Sequence, residues 1–164
     1  MNTFTEEADM YRKILLAYDG TTFCTGALAQ ATELARLCQA ELHLLSVVTI
    51  GGGMAIAEAV GTEDVMGQAQ QDLERSDAAI AEPLRRQGMT VVTCVRYGQP
   101  AAEIAAYAHE IEADLVVLGY SGKGLLARWF QGSVGSKLMD HLPCSLLVAT
   151  SSRHQGTEPS PGKA

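Results

Sequence analysis

The chain has 164 residues, a formal charge of −7, 47% hydrophobic and 19% charged residues. At about 100–200 residues per domain this is one domain, long enough to bury a core without disulfides or a metal. The composition excludes a disordered or fibrous chain, no run reaches the ~20 apolar residues of a membrane span, and the negative balance disfavours nonspecific nucleic-acid binding.

Met1–Met10 is polar and acidic, with no secretory-signal pattern, and reads as a loose terminus. Lys13–Tyr18 (KILLAY) is a continuous apolar strand that ends at Asp19-Gly20. Ala27, Leu28, Ala31, Leu34, Ala35 and Cys38 then recur at helical spacing. Glu41–Val48 (ELHLLSVV) is the second strand, followed by Gly51-Gly52-Gly53. A long helix is expected from Val65 to Gln87, with Met66, Ala69, Leu73, Ser76, Ile80 and Leu84 inward. Pro83 kinks it or marks its last turn, and Gly88 is its stop.

Met89–Arg96 is the third strand, and Gly98-Gln99-Pro100 opens a helix with Ile104, Ala105, Ala108 and Ile111 inward. Asp114–Leu118 (DLVVL) is the fourth strand, ending at Gly119. Ser133 caps a short helix that Pro143 ends, and Ser145–Thr150 (SLLVAT) is the fifth strand. The tail 151–164, rich in Ser, Gly and Pro, is expected to be flexible.

Strands and helices thus alternate. Continuously apolar strands imply a sheet covered on both faces, hence parallel. Right-handed crossovers then give a single doubly wound α/β domain over 11–150, between flexible ends 1–10 and 151–164. In such sheets ligands bind outside the carboxyl ends of the strands. The turns of interest are Asp19-Gly20, Val47–Gly53 and Gly119–Ser133.

The four cysteines form no C-x-x-C pair, and the four histidines do not join them at zinc spacings. Cys38, Cys94 and Cys144 read as buried apolar groups, and Cys24 as more exposed. With no export signal, the cytoplasm is the expected compartment.

The segment after the fourth strand carries Gly119, Gly122, Gly132 and Ser133 between a strand and a helix start. Glycines let backbone N–H groups approach an anion, and a helix N-terminus aims its unpaired N–H groups at it. Lys123 and Arg128 add positive charge, or are ordinary surface residues. The Walker pattern is absent. Gly122-Lys-Gly124 imitates a dinucleotide fingerprint but follows the wrong strand, with no acidic residue about 20 positions on.

The spacing G-x2-G-x9-G-[ST] resembles the nucleotide-binding motif of the universal stress protein family. ILLAYDG, LLSVV, YGQPAAEI and PCSLLVA agree in order, so the resemblance covers Tyr11 to Thr150. It implies strand order 3-2-1-4-5, a homodimer and ATP (or ADP or AMP) with Mg2+ at the strand ends. Asp19 matches the aspartate near the ribose and metal end, Ala17 a lining position and Val47 the residue whose backbone meets adenine. Gly119 and Gly122 match the glycines beside ribose and phosphates. Gly132 and Ser133 match phosphate donors, with Val134 following them in the site. Asp19 also reads as a helix cap or a turn former with Gly20. The chain departs from the family at Tyr120-Ser121, between the first glycines, and at Gly135, where many members carry Ser, Ala or Thr.

The function so implied is an ATP-binding stress-response module that changes shape or partner affinity with nucleotide occupancy. A slow ATP hydrolase and a nucleotide-free dimeric interaction protein are the alternatives. The three turns hold no His or Glu to act as a base, only Asp19. A homodimer is expected through Ser145–Thr150, an apolar edge strand without a blocking charge.

Overall fold

The computed structural model describes residues 10–18, 25–49, 62–120 and 138–150. Within these residues the strands and longer helices follow in the order β1 (Lys13–Tyr18), α1 (Thr25–Leu37), β2 (Glu41–Thr49), α2 (Thr62–Arg86), β3 (Val91–Gly98), α3 (Pro100–Glu110), β4 (Leu115–Tyr120) and β5 (Ser145–Thr150). Residues 138–141 are also helical. The strands form one sheet of order β3-β2-β1-β4-β5, parallel throughout.

Alternation along the strands divides the core in two. Ile14, Leu16, Leu42, Leu44, Val91, Leu115 and Val117 face α1 and α2 through Ala27, Ala31, Ala35 and Ala81. Leu15, Leu45, Val116 and Leu118 face α3 and Leu138 through Ile104, Ala105, Tyr107 and Ala108. Alanines on α1 let the helix sit close to the sheet, where they are fully buried. Each Leu, Ile or Val so buried contributes roughly 1.5–3 kcal/mol of transfer free energy.

Several boundaries differ from the sequence expectation for identifiable reasons. β3 starts at Val91 and not at Met89, because the end of α2 takes up the intervening residues. Gly88 adopts φ +87, and Met89 N–H donates back to Leu84 O. This is the left-handed glycine stop common at helix ends. β3 then runs two residues past Arg96, paired with β2 as far as Thr49↔Gly98. β4 starts after Asp114, because the Asp114 carboxylate accepts the backbone N–H groups of Arg12 and Lys13, both at 2.8 Å. Pro83 lies in the last turn of α2, which continues to Arg86.

Ile80 and Leu84 pack on the core as expected, but the fully buried positions of α2 lie one residue further along. Asp77 and Ala81 are wholly inaccessible, while Ser76 is half-buried. Of the expected cysteine positions, Cys38, Cys94 and Cys144 are half-buried free thiols; Cys24 lies outside the described residues.

Candidate functional site

The site follows from the direction of the crossovers. The chain leaves β1 for α1 on one face of the sheet and leaves β3 for α3 on the other. β1 and β4 are neighbours, with Ala17 opposite Leu118. The strand order reverses between them, so connections diverge there and leave a crevice at the carboxyl ends.

Three residues singled out in the sequence stand at this point. Ala17 lies near the end of β1, between Leu45 of β2 and Leu118 of β4. Val47 lies two positions beyond Leu45, and Gly119 one beyond Leu118. Ala17 and Val47 are half-buried and pack on the α3 side of the sheet, and Gly119 is buried beside Ala149 of β5. The described wall is therefore apolar and nearly free of side-chain bulk. It can accept a flat apolar ring and offer backbone groups, but no charge. Asp19, Gly122, Lys123, Arg128, Gly132, Ser133 and Val134 lie outside the described residues, as does the Gly51–Gly53 loop.

Two polar clusters brace the strand that carries Val47. On the α3 side, Arg96 pairs in register with Val47. Its guanidinium lies 4.7 Å from the Tyr107 ring centroid, donates to Glu110 and sits 3.8 Å from Glu103. The hydrogen bond to Glu110 holds the Arg96 pKa above its usual value. This cation is thus already neutralised by two carboxylates. Tyr107 OH shares a 3.0 Å hydrogen bond with His43 Nδ1, while His43 Nε2 stands 2.9 Å from Glu41 without hydrogen-bond alignment. Burial lowers the His43 pKa, against the opposing pull of Glu41. Burial also pushes the Tyr107 phenol up to about 12. His43 is a buried histidine of the core. His109 is a surface residue whose Nε2 donates to His141 O at 2.9 Å.

On the α1/α2 side, Ser46 Oγ donates to Asp77 Oδ1 at 2.9 Å, and both residues are fully buried. Burial pushes the Asp77 carboxyl up to about 6, against the lowering effect of the Ser46 hydrogen bond. Sequence reasoning missed this pair and Tyr107. The available signal was Ser46 inside an otherwise apolar strand and an acidic residue four positions before Ala81 on the same helix face. No group of three or more metal-ligating side chains occurs among the described residues. Nor, among them, is any helix long and apolar enough to cross a membrane.

The chain is similar to known proteins over nearly its whole described length. The family profile of the Universal stress protein family matches residues 10–150. A universal stress protein of Synechocystis is 30% identical over 139 residues, covering 85% of each chain. The crystal structure of a universal stress protein family member from Burkholderia pseudomallei superposes with a TM-score of 0.63 at 25% identity, covering 85% of this chain and 96% of that one. A universal stress protein from Archaeoglobus fulgidus, solved in complex with dAMP, has the same fold, with a TM-score of 0.56 at 18% identity over 85% of this chain and 98% of its own. With the five-stranded parallel sheet of order 3-2-1-4-5 and a family match across 10–150, this chain belongs to the universal stress protein family.

Proposed function

We infer that the protein is an adenine-nucleotide-binding regulatory module whose conformation or partner affinity changes with occupancy. One observation carries the reading: Ala17, Val47 and Gly119 converge at the carboxyl-end switch point, and Gly119 leads into the remaining glycines of the motif. The apolar wall suits adenine and ribose. The phosphates require the rest of the site. Gly122, Gly132, Ser133 and Val134 would offer backbone N–H groups and a hydroxyl, Lys123 and Arg128 charge, and Asp19 a ligand for Mg2+. The dAMP complex of the Archaeoglobus relative supports the nucleotide class, and the chain's own motif extends it to ATP. Residues 11–150 form the nucleotide-binding unit in this reading.

The module acts as a homodimer. β5 is an edge strand, paired among the described residues with β4 alone, and Leu146, Leu147 and Val148 are only half-buried. Such an apolar edge recruits another strand, and a second copy about a two-fold axis satisfies both edges at once. The test of the nucleotide reading is chromatography and intact mass of whatever small molecule is released when purified protein is denatured. An adenine nucleotide near one per chain supports it. Ligand-free protein that binds no adenine nucleotide when resupplied overturns it.

A further inference from the structure

Asp77 stands in α2 with its side chain turned to the sheet and 0% exposed. Oδ1 accepts the Ser46 hydrogen bond, whereas Oδ2 is buried without a hydrogen-bond partner among the described residues. A carboxylate in such a place carries a desolvated charge with one donor to hold it, and a neutral carboxylic acid does not. The groups around it offer no compensation. β1 presents Leu16 and Tyr18 to this side of the sheet, and β2 presents Leu44 and Ser46. β3 presents, by alternation from Val91, Thr93, Val95 and Tyr97, and the Tyr97 hydroxyl donates to Gln70. α1 turns Ala27, Leu28, Ala31 and Leu34 inward, and its Glu33 and Arg36 are exposed. On α2 itself, Glu74 is exposed and accepts from Gln70, and Asp72 pairs with Arg75. The titratable groups on this side of the sheet are thus Tyr11, Tyr18, Tyr97 and Cys38, all neutral near pH 6, and no cation faces Asp77 among the described residues.

We propose that Ser46 and Asp77 form a proton-operated latch: with the carboxyl protonated, α2 is seated against β2, and with it ionised, the middle of α2 loosens from the sheet. Burial lifts the Asp77 carboxyl from 3.8 to about 6, so the latch changes state just below neutral pH. The geometry gives it an outlet. Ser46 directly precedes Val47, so loosening α2 removes the hydrogen bond that anchors the last residues of β2 from behind. That outlet, a change in nucleotide affinity, rests on the nucleotide reading above; the latch itself does not.

The experiment follows the Asp77 side-chain carboxyl carbon by NMR through a pH titration of the full chain. It also compares amide exchange in α2 with exchange in α3 at about pH 5 and about pH 7.5, the ratio cancelling the intrinsic pH dependence. The latch predicts an Asp77 midpoint near 6 and a loss of α2 protection, relative to α3, of about tenfold or more at the higher pH. Ser46→Ala raises the midpoint further, because the hydroxyl favours the ionised form. Asp77→Asn keeps the acceptor for Ser46 and removes the pH dependence of α2. An Asp77 midpoint below about 4.5, a relative protection independent of pH, or an unchanged pH dependence in Asp77→Asn overturns the latch. The wild-type titration and exchange decide this even if a variant fails to fold. A parallel Mg-ATP titration at both pH values separates the two readings: binding by neither protein at either pH refutes the nucleotide site, while the exchange data still decide the latch.

Discussion

Gly98→Ala perturbs the carboxyl end of β3, where the backbone adopts φ +149. L side chains rarely occupy that region, and holding one there costs on the order of 1–3 kcal/mol. The new Cβ would also stand 2.8 Å from Glu103 Oε1 and 3.1 Å from its Cγ. The carboxylate end of Glu103 can swing aside, so this contact costs less than the backbone. Swinging aside withdraws one of the carboxylates near Arg96, a partly exposed pair at 3.8 Å worth at most about 1 kcal/mol. The expected loss is about 2–3 kcal/mol, or roughly 4–12 °C in Tm for a chain of this size. Urea unfolding and calorimetry measure it. Repeating the substitution in a Glu103→Ala background separates the two causes, and most of the loss should persist there because the backbone strain remains. A Gly98→Ala protein within about 0.5 kcal/mol of the wild type would refute the reasoning.

The other outcomes concern pH, the phosphate end and assembly. Asp77 has a folded pKa above its unfolded value, so the folded chain binds the extra proton. Its contribution is greatest below about pH 4 and is lost as pH rises through about 6, an effect of about 3 kcal/mol. Urea unfolding of wild type against Asp77→Asn at several pH values reads this difference, and it cancels the opposite trend from His43, whose pKa burial lowers. If the proposed site holds, Gly132→Val and Ser133→Ala should both fold and both bind ATP more weakly by calorimetry, the valine more severely because its side chain would occupy the phosphate position. The serine change would remove, in the proposed site, a charge-assisted hydrogen bond worth roughly 1.5–3 kcal/mol, and wild-type affinity in both variants would place the nucleotide elsewhere. Sedimentation at micromolar concentration should give a species near twice 17.4 kDa, and a monomer would contradict pairing through β5.

The sheet was legible because its strands are unbroken apolar runs with turn residues at their ends. β1 and β5 begin and end where the sequence places them, since Asp19-Gly20 and Pro143 punctuate them sharply. β3 was less so, because the backbone reversal at Gly88 takes up two residues that are otherwise good strand formers. On α2 the expected Ile80 and Leu84 do pack on the core, but the fully buried position is Asp77 and not Ser76. A carboxylate on a helix normally marks the solvent side, yet Asp77 points inward against Ser46, a contact between residues 31 positions apart that no local pattern announces. Tyr107 escaped notice for the same reason, since it lies on α3 while its partners His43 and Arg96 lie on β2 and β3. Of the candidate site, the strand-end positions Ala17, Val47 and Gly119 could be placed from the order of elements. Which backbone N–H groups would meet a phosphate in the proposed site depends on dihedral angles in the glycine segment, and residue types do not encode these.

The most direct measurement is isothermal titration of ligand-free protein with Mg-ATP, paired with a melting curve of the same sample. One nucleotide should bind per chain. At about 100 times Kd, binding should add about 2.7 kcal/mol of stability, which raises Tm by roughly 5–10 °C. No heat and no shift with millimolar ATP, ADP or AMP would contradict the account.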